Sequence, residues 1–319
     1  MCLALALLVG RGYDPEFSEV VYMLRKALGV AVSCAFAAWL TAAANNPESK
    51  TQLSAAEIVS KNVQARGGLQ AWRSVQTLAI SGHMGVGGNQ RATLAVPPPK
   101  GRKSTIGMPP PRPEKETELP FVMELARPRK QRFELQFNGQ TAVQVYDGTN
   151  GWKLKPFLNR REVEPFTAEE TKVASTQADL DGPLVDYQAK GTKIELVGTE
   201  KVENRDTYKV KLTTNNGNSI HVWIDSQTFL EAKIEGQPRR LDGTYHPVEV
   251  YYRDYRPVNG LQIPFVLETR VLPVAKTATG LRDTPVPSEK IVIDKVTVNP
   301  KLDDAVFSKS GMETASKAK

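Results

Sequence analysis

The side chains that most often carry chemistry are few in this 319-residue chain. There are three histidines, His83, His221 and His246, and two cysteines, Cys2 and Cys34. No two histidines stand at the spacing that places a pair of imidazoles on one helical face, and the cysteines are not at zinc-ligand spacing. His221 and Asp225 fall on the same face of an alternating segment, where a surface pair is the simpler reading. The sequence contains no H-E-x-x-H, no G-x-S-x-G, no P-loop and no complete G-x-G-x-x-G. The one S-x-x-K run, Ser316-Lys317-Ala318-Lys319, sits in a polar tail where nothing would position it. No pair of carboxylates is singled out as acid and base. The expectation is a protein that is not an enzyme, holds no metal and no cofactor, and acts by binding.

The elements that would position a binding site are mostly strands. A capping box, Ser54-Ala55-Ala56-Glu57, opens a helix with Ile58, Val59 and Val63 near one face, and Gly67-Gly68 ends it. Leu69, Trp72 and Val75 suggest a second short helical turn. From Thr77 the apolar period changes to two. Leu78–Val86 and Arg91–Val96 read as strands around the glycine-rich turn 85–89. Residues 97–120 hold eight prolines and read as a long loop that cannot be a central strand. Alternation returns in Arg132–Phe137, and Asn138-Gly139 signals a hairpin. Val143 and Val145 are expected to continue the same apolar face, followed by a turn and Trp152–Leu154. A second capping box, Thr167-Ala168-Glu169-Glu170, opens a helix expected to reach about Leu180. The last third is a meander: Ile194–Val197, then Tyr208, Val210 and Leu212, then Ile220, Val222 and Ile224, then Ala232 and Ile234, then Val248, Val250 and Tyr252, then Phe265 and Leu267, and finally Ile291–Val298.

About ten strands with short turns imply antiparallel pairing, and strict alternation implies one buried and one wet face. So large a sheet must curl, close or be covered. The expected fold is mainly β (α+β): a curved antiparallel sheet forming an unclosed half-barrel, with two or so helices covering the concave face.

The N-terminus reads as an export signal. Met23-Leu24-Arg25-Lys26 precedes an apolar run from Ala27 to Leu40, and Ala42-Ala43-Ala44 fits a cleavage site. The expectation is a functional start at Met23, residues 1–44 removed, and a periplasmic product. An uncleaved anchor, or acylation at Cys34, is the alternative. Residues 45–53 then form a linker, 54–308 a single domain with the Pro-rich insertion 97–120, and 309–319 a polar tail. Both cysteines precede the cleavage site, so the exported chain relies on its core rather than on disulfides. The net charge of +7 favours anionic surfaces, lipid headgroups included. No helical basic stripe accompanies it, which argues against nucleic acid.

The meander carries a resemblance. Ile194–Arg205, Tyr208–Leu212, Val222-Trp223-Ile224-Asp225, Phe229–Lys233 and Tyr252–Phe265, together with the opening helix from Ala56 to Gly67-Gly68, are similar to the outer membrane lipoprotein-sorting proteins, the LolA/LolB-like periplasmic carriers. The resemblance implies an unclosed barrel with a helical lid over an apolar cavity that holds acyl chains. Its partners would be lipid or lipoprotein acyl chains and an inner- or outer-membrane protein. The cavity candidates are Phe133, Leu135, Phe137, Val143, Val145, Tyr208, Val210, Leu212, Ile220, Val222, Ile224, Val248, Val250 and Phe265. Trp152 and Phe157, beside Lys153 and Lys155, are candidates for the rim. An envelope sensor that uses the same fold to bind a protein is the alternative function.

Overall fold

The computed structural model describes residues 53–87, 116–156, 160–241, 244–275 and 287–312. The signal segment, the Arg91–Val96 strand, most of the Pro-rich insertion and Phe157 lie outside these. Among the described residues, thirteen strands form one antiparallel sheet. In chain order they are β1 (Thr77–Gly87), β2 (Glu116–Ala126), β3 (Lys130–Phe137), β4 (Gln140–Tyr146), β5 (Gly151–Lys155), β6 (Arg160–Pro165), β7 (Lys193–Val202), β8 (Arg205–Thr213), β9 (Ser219–Asp225), β10 (Glu231–Glu235), then a separate small hairpin β11 (Arg239–Leu241) and β12 (Thr244–His246), and β13 (Val248–Val258), β14 (Leu261–Val271) and β15 (Glu289–Val298). The spatial order is β6-β5-β4-β3-β2-β1-β15-β14-β13-β10-β9-β8-β7. The edges β6 and β7 do not pair, so the sheet is an unclosed half-barrel.

Among the described residues three α-helices, α1 (Ala55–Ala65), α2 (Leu69–Ser74) and α3 (Ala168–Gln177), accompany it, with a 3-10 turn at Asp304–Phe307 and a last helical turn at 309–312. Both capping boxes form. Ser54 and Glu57 exchange side-chain and backbone hydrogen bonds at α1, and Thr167 and Glu170 do so at α3. The hairpin turn Asn138-Gly139 has both residues at positive φ, as does Asn259-Gly260 between β13 and β14. The two edge strands are consecutive in sequence, so the segment between them, 166–192, has to travel from one edge to the other. It crosses the inner face as a strap: Ala174 and Ala178 pack on Tyr146, and Leu180, Leu184 and Val185 are buried in the main core. Ile58 and Val59 of α1 and Trp72 of α2 fill the same side.

Two expectations about element limits are corrected. Residues 116–120 are not loop but the start of β2, and Pro120 pairs with His83 of β1. The pairing of β2 with β3 begins only at Phe121↔Leu135, so Pro120 lies where the strand is bordered on one side, the place a sheet tolerates proline. The tail does not begin at 309. Residues 309–312 are helical and Met312 is fully buried. With Phe307 it packs on Ala126, Val143, Val145 and Leu154 on the outer face.

Candidate functional site

The inner face is built from register. Val210 of β8 lies beside Val222 of β9, Val222 beside Ile234 of β10, and Ile234 beside Val250 of β13. A second row runs Tyr252–Leu267–Ile291–Met84–Leu119 across β13, β14, β15, β1 and β2. A third joins Ile80, Met123 and Phe133. Phe121 and Phe133 stack with centroids 6.0 Å apart. Gly82 allows this: a Cβ there would meet the Phe121 ring at 2.9 Å and the Val292 carbonyl at 2.1 Å. One apolar surface therefore extends over the middle of the sheet.

Most of the predicted cavity residues share that surface. Phe133, Val210, Leu212, Val222, Ile224, Val250 and Phe265 are buried in it, and Leu135, Phe137, Tyr208 and Ile220 are half-buried at its margin. Val248 is buried at the strand end, against Gly236. Val143 and Val145 are not there. A two-residue hairpin pairs Phe137 with Gln140, Leu135 with Ala142 and Phe133 with Gln144, so odd positions of β3 face even positions of β4. Val143 and Val145 point outward, opposite Glu134 and Arg132. Trp152 pairs with Val145 and joins the same outer cluster, half-buried, rather than a rim. Residues outside the cavity candidates complete the inner face: Met84, Leu119, Phe121 and Met123 from β1 and β2, and the covering side chains Trp72, Leu180, Leu184 and Val185.

The cover is fastened by polar groups. Arg66, which caps α1, is 4% exposed; its guanidinium lies 3.3 Å from the Glu231 carboxylate and donates to the Asp181 carbonyl at 3.2 Å. It also stacks on the Trp72 ring at 4.4 Å. The Arg66 carbonyl accepts from Trp72 Nε1 and from the Gln262 amide. Tyr255 donates to Glu231 at 3.1 Å. Arg127 reaches the Asp181 carboxylate and the Trp72 carbonyl. Arg73 of α2 holds Asp186 of the strap bidentately, at 2.9 and 2.6 Å, and this hydrogen bonding lowers the Asp186 pKa. Gly67, at φ +115°, lets the α1–α2 corner approach the Gly260 carbonyl, which a Cβ would meet at 2.5 Å. Asn62 donates to the Phe229 carbonyl at 2.8 Å.

A cavity of about 20 Å³ remains between Arg66, Leu184, Val222, Glu231, Ile234, Tyr252 and Tyr255, space for about one water molecule. A groove of about 390 Å³ lies open at one end of the sheet, between residues 117–120 and the β3–β4 turn at 136–141. Among the described residues, neither space has a serine or histidine in its lining. His221 does not meet Asp225: its Nδ1 lies 2.9 Å from Glu235 on the outer face, while Asp225 accepts the amides of Gln227 and Thr228 in a turn. Among the described residues no three metal-ligating side chains gather, and no helix is long and apolar enough to cross a membrane.

No protein-family model and no curated relative matches the sequence. Solved structures do resemble the fold. A LolA-superfamily protein from Nitrosomonas europaea aligns over 81% of this chain and 99% of its own, with 11% identity and a TM-score of 0.50. A structure described as an outer membrane lipoprotein-sorting protein domain from Vibrio parahaemolyticus aligns over 81% and 97%, with 10% identity and a TM-score of 0.48. A DUF1329 family protein from Desulfovibrio piger aligns over 81% and 98%, with 12% identity and a TM-score of 0.48.

Proposed function

The chain has a LolA-like fold, and from that premise we propose that it is an exported binding protein, not an enzyme, that carries the acyl chains of a lipid or lipoprotein against the inner face of the half-barrel. The observation that carries the reading is the unbroken apolar surface across the sheet, from Val210 on one side to Phe133 on the other, covered by helices and the strap rather than by a second sheet. An acyl chain loses about 0.8 kcal/mol per CH₂ left in water, so its carrier needs such an enclosure. Sites for ligands of this size occupy about 300 Å³ or more, against the 20 Å³ of the cavity between cover and sheet. Loading therefore moves α1, α2 and the strap away from the sheet, and the acyl chain takes the place of Trp72, Leu180, Leu184 and Val185. Phe133, Val210, Val222, Val250 and Phe265 are the lining residues of this proposal.

The test is native mass spectrometry of protein purified from an envelope extract, followed by lipid extraction and by titration with a fluorescent fatty acid. A bound acylated species and saturable probe binding are expected. Protein that carries no lipid and binds no probe would overturn the carrier reading and turn the search to a protein partner.

A further inference from the structure

A carboxylate stands on the apolar inner face. Glu231 of β10 lies beside Ile224 of β9 and lines the cavity of about 20 Å³ together with Val222, Ile234 and Tyr252. Its side chain is 8% exposed. Its two carboxylate oxygens have different partners. Oε1 faces the Arg66 guanidinium at 3.3 Å, and Oε2 accepts from the Tyr255 hydroxyl at 3.1 Å. Tyr255 belongs to the sheet and stays with Glu231. Arg66 belongs to the cover: it caps α1, stacks on Trp72 of α2 and donates to the Asp181 carbonyl of the strap. When α1, α2 and the strap lift to admit a ligand, Arg66 leaves with them. Oε1 then faces the incoming ligand with its cation gone. Lys233, the basic residue of β10, does not replace it, because it lies on the outer face, bonded to Glu249 and stacked on Trp223.

We propose that Glu231 selects a ligand whose head carries a primary ammonium beside its acyl chains, the ammonium taking the place of Arg66. The proposal rests on the carrier reading and names the head group. A buried carboxylate stripped of its partner is costly, so an acyl chain laid alone over Glu231 is a poor match. An anionic head is a worse one, since it adds a like charge. A primary ammonium restores the pair by donating to Oε1, and the tyrosines 252 and 255 in the same lining suit a cation. The apolar rows from β13 to β3 are left for the chains. The head of an aminophospholipid and the free α-amine of an acylated cysteine both offer this group.

Displacement of the neutral fluorophore N-phenyl-1-naphthylamine at neutral pH tests this with three chains of equal length: dodecylamine, protonated there, dodecanol and dodecanoate. Dodecylamine is expected to compete about tenfold or more better than dodecanol, the difference that a hydrogen bond to a charged group supplies. Dodecanoate should be no better than dodecanol. Glu231→Gln should bring the ratio of amine to alcohol close to one. Arg66→Met, which loosens the cover, should tighten all three and keep the ratio. A change in closure or stability moves the three chains together, so the ratio isolates the head group. Because Glu231→Gln leaves Arg66 buried without its carboxylate, the double variant Arg66→Gln, Glu231→Gln repeats the measurement with both charges removed, and a ratio close to one is expected again. Lysophosphatidylethanolamine and a dipalmitoyl-cysteine peptide with a free α-amine, run in the same assay, distinguish the two sources: the better competitor, with its advantage lost in Glu231→Gln, supports the proposal and names the source. Equal competition by the three chains, or an amine preference that survives both glutamine variants, would overturn the proposal and leave the carrier reading standing. Failure of the fluorophore and of every chain to bind would overturn the carrier reading, and the head-group proposal with it.

Discussion

On the outer face, the charged side chains form a lattice rather than a scatter. Lys209 and Lys233 lie 4.9 and 4.0 Å from the Trp223 ring, whose Nε1 donates to Glu200. Arg270 stacks on Tyr251 at 4.1 Å. Glu203 receives both Arg253 and Arg270, which also bond Glu268. Hydrogen bonding to Arg253 holds the Glu203 carboxyl down at about 2, against 4.5 unperturbed. Its folded pKa is thus the lower one. The stability it contributes is present above about pH 4.5 and is lost as pH falls towards 2. Glu203→Gln is expected to lower stability at neutral pH modestly, because the group is partly exposed, and to flatten the acid limb of the stability curve. Urea unfolding of both proteins from pH 7 to 2.5 measures this, and parallel acid limbs would refute it. Tyr251 moves the opposite way: burial, with Glu249 beside its hydroxyl, pushes it up to about 12.

At the scale of elements, the C-terminal segment covers an apolar area of the outer face. Phe307 and Met312 are almost completely buried on Ala126, Val143, Val145 and Leu154. Arg132 clamps the segment by donating to the Val306 carbonyl at 3.0 Å. Burying two such side chains is worth about 1.5–3 kcal/mol each. Removal of residues 301–319 should lower stability by about 3–6 kcal/mol on that basis and increase binding of a hydrophobic dye, whereas removal of 313–319 should do neither. Chemical denaturation of the two truncations checks it.

This segment also shows what was legible beforehand and what was not. Both capping boxes, the Asn138-Gly139 turn and the alternating meander were readable, because each is written in neighbouring residues. Placing Val143 and Val145 inside failed on parity: the two-residue turn already dictates that Phe133 faces Gln144. The partner that makes outward valines acceptable, Met312, is far away in sequence and lies in a stretch dominated by lysine and serine. The strap was hidden for a related reason. Leu180, Leu184 and Val185 follow no period, and only the pairing order of the whole sheet reveals that 166–192 must cross it. Arg66 and Glu231 carry no local pattern either; they meet because the α1–α2 corner folds onto β10.

At the scale of the whole molecule, the proposed carrier reading gives the half-barrel and its cover a slow step. A ligand that needs several hundred Å³ cannot enter a space of about 20 Å³ until α1, α2 and the strap have moved. Those elements are held by Arg66–Glu231, Arg127–Asp181 and Arg73–Asp186. The first is buried, and losing one partner of a buried pair costs about 3–5 kcal/mol. The third is surface-exposed and worth less than about 1 kcal/mol. Opening therefore breaks Arg66–Glu231 as its main barrier, and the observed rate of fluorescent fatty-acid uptake should level off with rising probe concentration at the rate of opening. Arg66→Met should raise that plateau by an order of magnitude or more, and Arg73→Ala should change it only slightly. Stopped-flow mixing of the three proteins gives the comparison. A rate that climbs linearly with probe up to the diffusional regime, identical in all three, would mean that the ligand enters without displacing the cover, and the open groove beside Phe137 would then be its site.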